Sequence, residues 1–156
     1  ARIARLNGLS PKKNREIPPL RYDDVYRLKR ERPHLPIEIN GGLRTMAQAH
    51  DQLEFVDAAM IGRASSDDPW IFAQADSLFF DRKDPVCSRR QAVVEHLDYL
   101  IEWQARGVKL PFLVAPMINL FAGQRHARRW RRALSEQTRE PGATPEILLK
   151  SLDAMG

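Results

Sequence analysis

The sequence predicts two unlike parts in series: an α/β part to about residue 80 and an all-helical part after it. Three observations carry this. Two short apolar runs, Ile37-Glu38-Ile39 and Ala58-Ala59-Met60-Ile61, each reach a glycine and lead towards a helical pattern, about twenty residues apart. Successive strands of a parallel sheet read this way. Strand signals then cease, and apolar stripes at helical spacing run to the end. Two strand–helix units cannot close an eight-unit barrel. The chain is therefore expected to be the C-terminal part of a (β/α)8 TIM barrel followed by an all-α domain, cut from a longer protein. Its first residue, Ala1, is not methionine, which agrees with that expectation. The expected domains are 1–86 and 87–156.

Each element follows from its residues. Residues 6–21 read as a long irregular loop, because Gly8, Pro11 and the Pro18-Pro19 pair break regular structure. Tyr22, Val25 and Leu28 recur at spacing three and predict a helix over 22–32, with Asp23 and Asp24 at its positive end. Pro33 and Pro36 stop it before the strand at 37–39. Met46, Ala49 and Leu53 give a second helix over 44–53, and the strand at 57–61 follows. Asp67, Asp68 and Pro69 suit a helix start running to about Leu78. Residues 81–88 read as a linker. Val94, Leu97, Leu100 and Ile101 form a helical stripe ending at Gly107, a C-cap residue. Helices are expected at 110–121, 127–135 and 145–154, the last capped by Thr144.

Composition narrows the function classes. The 156 residues are 43% hydrophobic and 29% charged, with net charge +5. That balance permits a polyanionic partner. One cysteine, Cys87, excludes an internal disulfide and fits a reducing, cytoplasmic setting. The longest apolar run, 110–121, is too short to span a bilayer and is broken by proline.

Two candidate sites emerge. In (β/α)8 barrels the loops after the last two strands often hold a phosphate by close main-chain N–H groups. Asn40-Gly41-Gly42 and Gly62-Arg63 stand at two such strand ends; the glycines leave no Cβ in the way, and Arg63 supplies a charged fork. A strand followed by two glycines is by itself more often a tight turn than a ligand site; it is the occurrence of two such ends, one strand–helix unit apart, that brings in the phosphate reading. The second candidate is 125–132, with five arginines and no acid. On a helical wheel Arg125, Arg128, Arg129 and Arg132 share an arc with Arg131 at its margin, opposite Ala127, Trp130 and Leu134. That face suits an RNA backbone, with a solvated basic face as the alternative. Lys12, Lys13 and Arg15 form a smaller basic cluster. The four histidines have no metal-ligand spacing, so no metal is expected.

Together, Leu9-Ser10-Pro11-Lys12-Lys13-Asn14-Arg15-Glu16-Ile17-Pro18-Pro19-Leu20, Ile39-Asn40-Gly41-Gly42, Gly62-Arg63 and Trp130-Arg131-Arg132-Ala133-Leu134-Ser135-Glu136 closely resemble the tRNA-dihydrouridine synthases, in particular the DusA subfamily. The resemblance runs along essentially the whole chain. It implies an FMN-binding barrel followed by a helical domain, and reduction of the C5–C6 double bond of uridines in the tRNA D-loop, at positions 20 and 20a, with NADPH as reductant. It assigns Asn40, Gly41, Gly42, Gly62 and Arg63 to the FMN phosphate. It assigns Lys12, Arg15, Arg128 and Arg131 to tRNA. A monomer without membrane partners is expected.

The chain also departs from the family's pattern. The proton-donating cysteine of an Asn-x-Gly-Cys-Pro context is absent, and Cys87 in Pro85-Val86-Cys87-Ser88 does not match it. The family's FMN-binding lysine and histidine are missing too. The chain alone is therefore expected to be inactive, with no catalytic residue of its own. Two other readings remain: a non-catalytic RNA-binding helical module, and another FMN barrel oxidoreductase acting on a small molecule.

Overall fold

The computed structural model describes residues 3, 5, 7–14 and 16–155. Packing divides the chain into two units, one to Ala64 and one from Ser65. The expected division near residue 86 follows composition instead. Between the two points, Trp70 packs against the apolar core of the second unit, and Asp68 pairs with Arg89 of the same unit at 3.5 Å.

In the first unit a short helix, α1 (Pro11–Asn14), interrupts the expected loop. Asn14 ties it down by donating to the carbonyls of Arg5 and Leu9 and accepting the Arg5 N–H. Helix α2 (Tyr22–Glu31), strand β1 (Glu38–Asn40), helix α3 (Met46–Gln52) and strand β2 (Ala58–Met60) follow. Thr45 caps α3 by accepting the Gln48 N–H at 3.2 Å. Ile39, Leu43 and Val56 form the core, covered by Tyr22, Val25, Tyr26 and Ile37. Leu28 and Leu53, expected on buried faces, are exposed. Tyr22, Val25 and Ala49 do face inward as expected; Tyr26 of α2 and Gln52 of α3 join them, the Gln52 amide oxygen accepting the Tyr26 hydroxyl.

β1 and β2 pair in parallel with Glu38 opposite Ala58, Ile39 opposite Ala59 and Asn40 opposite Met60. One carboxylate pins that register. Asp57, just before β2, accepts the Ile37 N–H at 2.7 Å while its own N–H donates to the Ile37 carbonyl at 3.0 Å. Lys29 of α2 reaches both carboxylate oxygens, at 2.8 and 2.7 Å, and also donates to the carbonyls of Pro33 and Leu35. Helix, turn and both strand starts meet at this pair.

The turn leaving β1 needs its glycines for a local reason. Gly41 and Gly42 have φ of +124° and +75°, a region that L side chains rarely adopt. A Cβ on either would also fall 2.7 or 2.6 Å from a Leu20 methyl. Tyr22 completes the clasp by donating its hydroxyl to the Gly41 carbonyl.

α4 (Arg63–Asp67) begins directly at Arg63, where a loop was expected. In the second unit a 3₁₀ turn (Pro69–Phe72), capped by Asp68, leads to α5 (Ala75–Phe80). Helices α6 (Arg89–Ala105), α7 (Leu110–Val114), α8 (Ala127–Glu136) and α9 (Glu146–Asp153) complete it. Ser88, read as linker, is the cap of α6 and accepts the Gln91 N–H at 3.1 Å. The buried stripe of α6 contains Val93 and Leu100 with Leu97 beside them, while Val94 and Ile101 face solvent. The single helix expected over 110–121 is broken. Pro116 has no N–H to give the Phe112 carbonyl, so α7 tightens into a 3₁₀ turn at Ala115–Met117. At α9 the cap position is Pro145, and Thr144 contributes only its carbonyl, to the Ile147 N–H at 3.1 Å. Trp130 is the centre of this unit: fully buried, its indole N–H donates to the Met117 carbonyl at 2.8 Å, and its ring lies 4.8 Å from that of Phe121.

Two measurements check these constraints. Lys29 and the Ile37 N–H hold the Asp57 carboxyl below its ordinary value of 3.8. The pair therefore stabilises the fold above that pH and is lost as the pH falls through the lowered value. Asp57→Asn should lower the melting temperature at pH 7, and its deficit should shrink as melts are taken towards pH 2. A double-mutant cycle tests the clasp. Gly42→Ala should cost about 1–3 kcal/mol of urea stability, and distinctly less in a Leu20→Ala background, where only the backbone strain remains. Strict additivity would remove Leu20 from the constraint.

Candidate functional site

The parallel register brings the two glycine-bearing tips to one end of the sheet. Asn40 lies opposite Met60, so both Gly41-Gly42 and Ile61-Gly62-Arg63 leave the C-terminal ends of adjacent strands. The Asn40 side-chain amide donates to the Met60 sulfur at 2.9 Å, tying the two tips together. At Gly62 no heavy atom lies within 4 Å of where a Cβ would point, so no neighbouring group fills the side-chain position. The glycines thus differ in kind: Gly41 and Gly42 make room for Leu20, whereas Gly62 leaves its room empty.

Arg63, the first residue of α4, is mostly exposed, and its guanidinium lies 3.3 Å from a carboxylate oxygen of Glu16. An exposed pair of this kind contributes about 0–1 kcal/mol. A doubly charged anion, able to take two parallel N–H bonds, competes well against it. Glycine turns beside an exposed guanidinium at the C-terminal end of parallel strands have the residue types of a phosphate site.

The basic residues fall into two groups. Lys12 is exposed on α1, and Arg15 lies outside the described residues. On α8, Trp130, Ala133 and Leu134 are buried with Ala127 packed beside them, and Arg128, Arg129, Arg131 and Arg132 are exposed. These four are not equivalent. Arg132 bonds Glu136 one turn on at 2.8 Å, and Arg129 donates to the Ala154 carbonyl at 3.2 Å. Arg128 and Arg131 have no ion-pair or hydrogen-bond partner among the described residues. The Glu136 carboxylate raises the pKa of Arg132, consistent with a formed pair.

Some supporting residues gave little sequence signal. Arg89 lies with its guanidinium 5.0 Å from the Trp70 ring centre, donates to the Leu120 carbonyl at 2.7 Å and pairs with Asp68. Leu20 and Tyr22 shape the turn at Gly41 and Gly42, and Asp57 with Lys29 sets the register. Each partner lies 19 or more residues away, beyond the reach of local patterns. Cys87 is exposed, with its sulfur 3.0 Å from the Gln91 side-chain oxygen. Among the described residues no group of histidine, cysteine or acidic side chains is arranged to hold a metal ion, and no helix is long and apolar enough to cross a membrane.

Comparison with known proteins gives the same direction. The tRNA-dihydrouridine(20/20a) synthase of Synechocystis sp. is 44% identical over 154 residues, covering 99% of this chain and 46% of that protein. The proteins of the same name from Pasteurella multocida and Vibrio vulnificus are 42% and 41% identical, each covering 97% of this chain and 46% and 47% of their own length. The chain thus spans about half the length of the curated relatives it matches. The family model described as dihydrouridine synthase matches residues 1–154. On that near-complete match, with tips and basic helix in the expected elements, the chain belongs to the dihydrouridine synthase family.

Proposed function

We propose that this chain is the flavin-phosphate-holding and tRNA-gripping part of a tRNA-dihydrouridine synthase that acts at positions 20 and 20a of the D-loop, with FMN as cofactor and NADPH as reductant. The names of the relatives supply the substrate and positions. The observation that carries the reading is the shared end of β1 and β2, which brings the Gly41-Gly42 turn and Gly62 to the same end as the cation of Arg63. In this reading residues 1–86 complete the barrel and 87–156 form the tRNA-binding domain of a cytoplasmic monomer.

The residues fit a flavin phosphate. Asn40, Gly41, Gly42 and Gly62 would offer main-chain and amide donors, and Arg63 would exchange Glu16 for the phosphate oxygens. When bound, FMN would supply the hydride that saturates the uracil ring, chemistry that belongs to the cofactor. Lys12, Arg15, Arg128 and Arg131 would hold the RNA backbone, fixing register while base contacts elsewhere choose the uridine. The target base must leave its stack to react, which makes a firm backbone grip on either side useful. Cys87 stands in Pro85-Val86-Cys87-Ser88 and not in the family's Asn-x-Gly-Cys-Pro context, so in this reading proton delivery to C5 falls to a residue not among these 156, and the chain alone would be inactive.

The experiment separates the two sites in the full-length protein. Arg63→Ala should lower the flavin retained after gel filtration several-fold while leaving tRNA binding within twofold. Arg128→Ala with Arg131→Ala should retain flavin and weaken tRNA binding about tenfold or more at physiological salt. Unchanged flavin content in the first variant would remove Arg63 from the phosphate site. Unchanged tRNA affinity in the second would remove α8 from the RNA interface.

A further inference from the structure

We infer that Arg125 is a third phosphate-contacting arm of the α8 surface, alongside Arg128 and Arg131, and that Arg129 and Arg132 are not part of that contact set. The inference rests on the reading of α8 as an RNA-binding element and sharpens it to individual residues.

The five arginines of 125–132 differ in what already holds them. Arg132 is neutralised by Glu136 at 2.8 Å, and Arg129 is spent on the carbonyl of Ala154 at the end of α9. Arg125, Arg128 and Arg131 are exposed and have no ion-pair or hydrogen-bond partner among the described residues. Arg129 keeps its charge too, since a carbonyl is a neutral partner, so four unneutralised cations within seven residues repel one another and a polyanion relieves that repulsion. Of the four, Arg125, Arg128 and Arg131 have no hydrogen bond to give up among the described residues.

Arg125 lies outside the helix, which begins at Ala127, yet its backbone is fixed. The Gln124 N–H donates to the Phe121 carbonyl at 3.0 Å, and the Ala127 N–H donates to the Gln124 carbonyl at 3.2 Å. His126 follows in the left-handed region, at φ +62°, where its carbonyl accepts the Arg129 and Trp130 N–H groups. A residue without glycine's freedom is held there by its surroundings. Phe121 and Trp130, at either end of this turn, pack ring to ring in the core. Arg125 therefore projects from a backbone anchored to the largest fully buried side chain of the unit, and RNA binding need not order the turn.

The test reads the salt dependence of tRNA binding by the full-length, flavin-loaded protein between 50 and 200 mM KCl. Each phosphate contact contributes roughly 0.7–0.9 to the slope of log K against log salt. Arg125→Gln should make that slope shallower by about one, as should Arg128→Gln. The paired change Arg132→Gln with Glu136→Gln, which removes a neutral pair, should leave it unaltered. Unchanged melting temperatures will show that the exposed substitutions leave the fold intact. If Arg128→Gln lowers the slope and Arg125→Gln does not, Arg125 is only a solvated charge and the inference fails. A slope lowered equally by the Arg132 and Glu136 double change overturns the partition. If none of the variants changes the slope, the RNA-binding reading of α8 fails with it.

Discussion

The register of two three-residue strands is the constraint on which the candidate phosphate site depends. A parallel pair this short has few ladder bonds of its own, so something outside the ladder must stop it slipping. Asp57 does this from the residue before β2, by taking the Ile37 N–H and the Lys29 ammonium together. A slip of one residue would turn Ile39, almost fully buried, to the other face and carry Asn40 away from Met60. Main-chain donors at two strand ends can serve one anion only if the ends stay level, and here an ion pair keeps them so.

The second unit follows a different logic. Its arginine-rich helix is held by what lies beneath it: Trp130 fills the core and spends its only polar hydrogen on the Met117 carbonyl. With that face fixed, the charged face is presented on rigid backbone. Intramolecular partners then sort its arginines, leaving some free for a ligand and retiring others. Cationic side chains are expensive to order singly, and mounting them on packed structure lowers the entropy lost on binding.

Much of this was legible in the sequence because it rests on local pattern. Glycine after an apolar run, the proline breaks and the wheel of α8 all depend on residues within a turn or two of one another. The errors arise where neighbours compete. Val93 and Val94 both suit an apolar stripe, as do Leu100 and Ile101, and only packing selects Val93 and Leu100. Leu28 had the right spacing but is exposed, and Tyr26 packs inward beside the expected Tyr22 and Val25. The clasp of Leu20 and Tyr22 on the glycine turn, and the Lys29–Asp57 tie, join residues far apart in the chain, so no window could contain them. The Arg132–Glu136 pair is a fair counter-example, since its spacing of four is visible in the sequence and marks Arg132 as already partnered.

In the proposed site the two level strand ends bind one phosphate through main-chain N–H groups and a single guanidinium. Amide shifts of isotope-labelled, flavin-free full-length protein, followed as FMN is added, test it most directly. The amides of Gly41, Gly42 and Gly62 and the side chain of Arg63 should move together and saturate at one FMN per protein. Saturation of flavin binding with those four signals unmoved would contradict it.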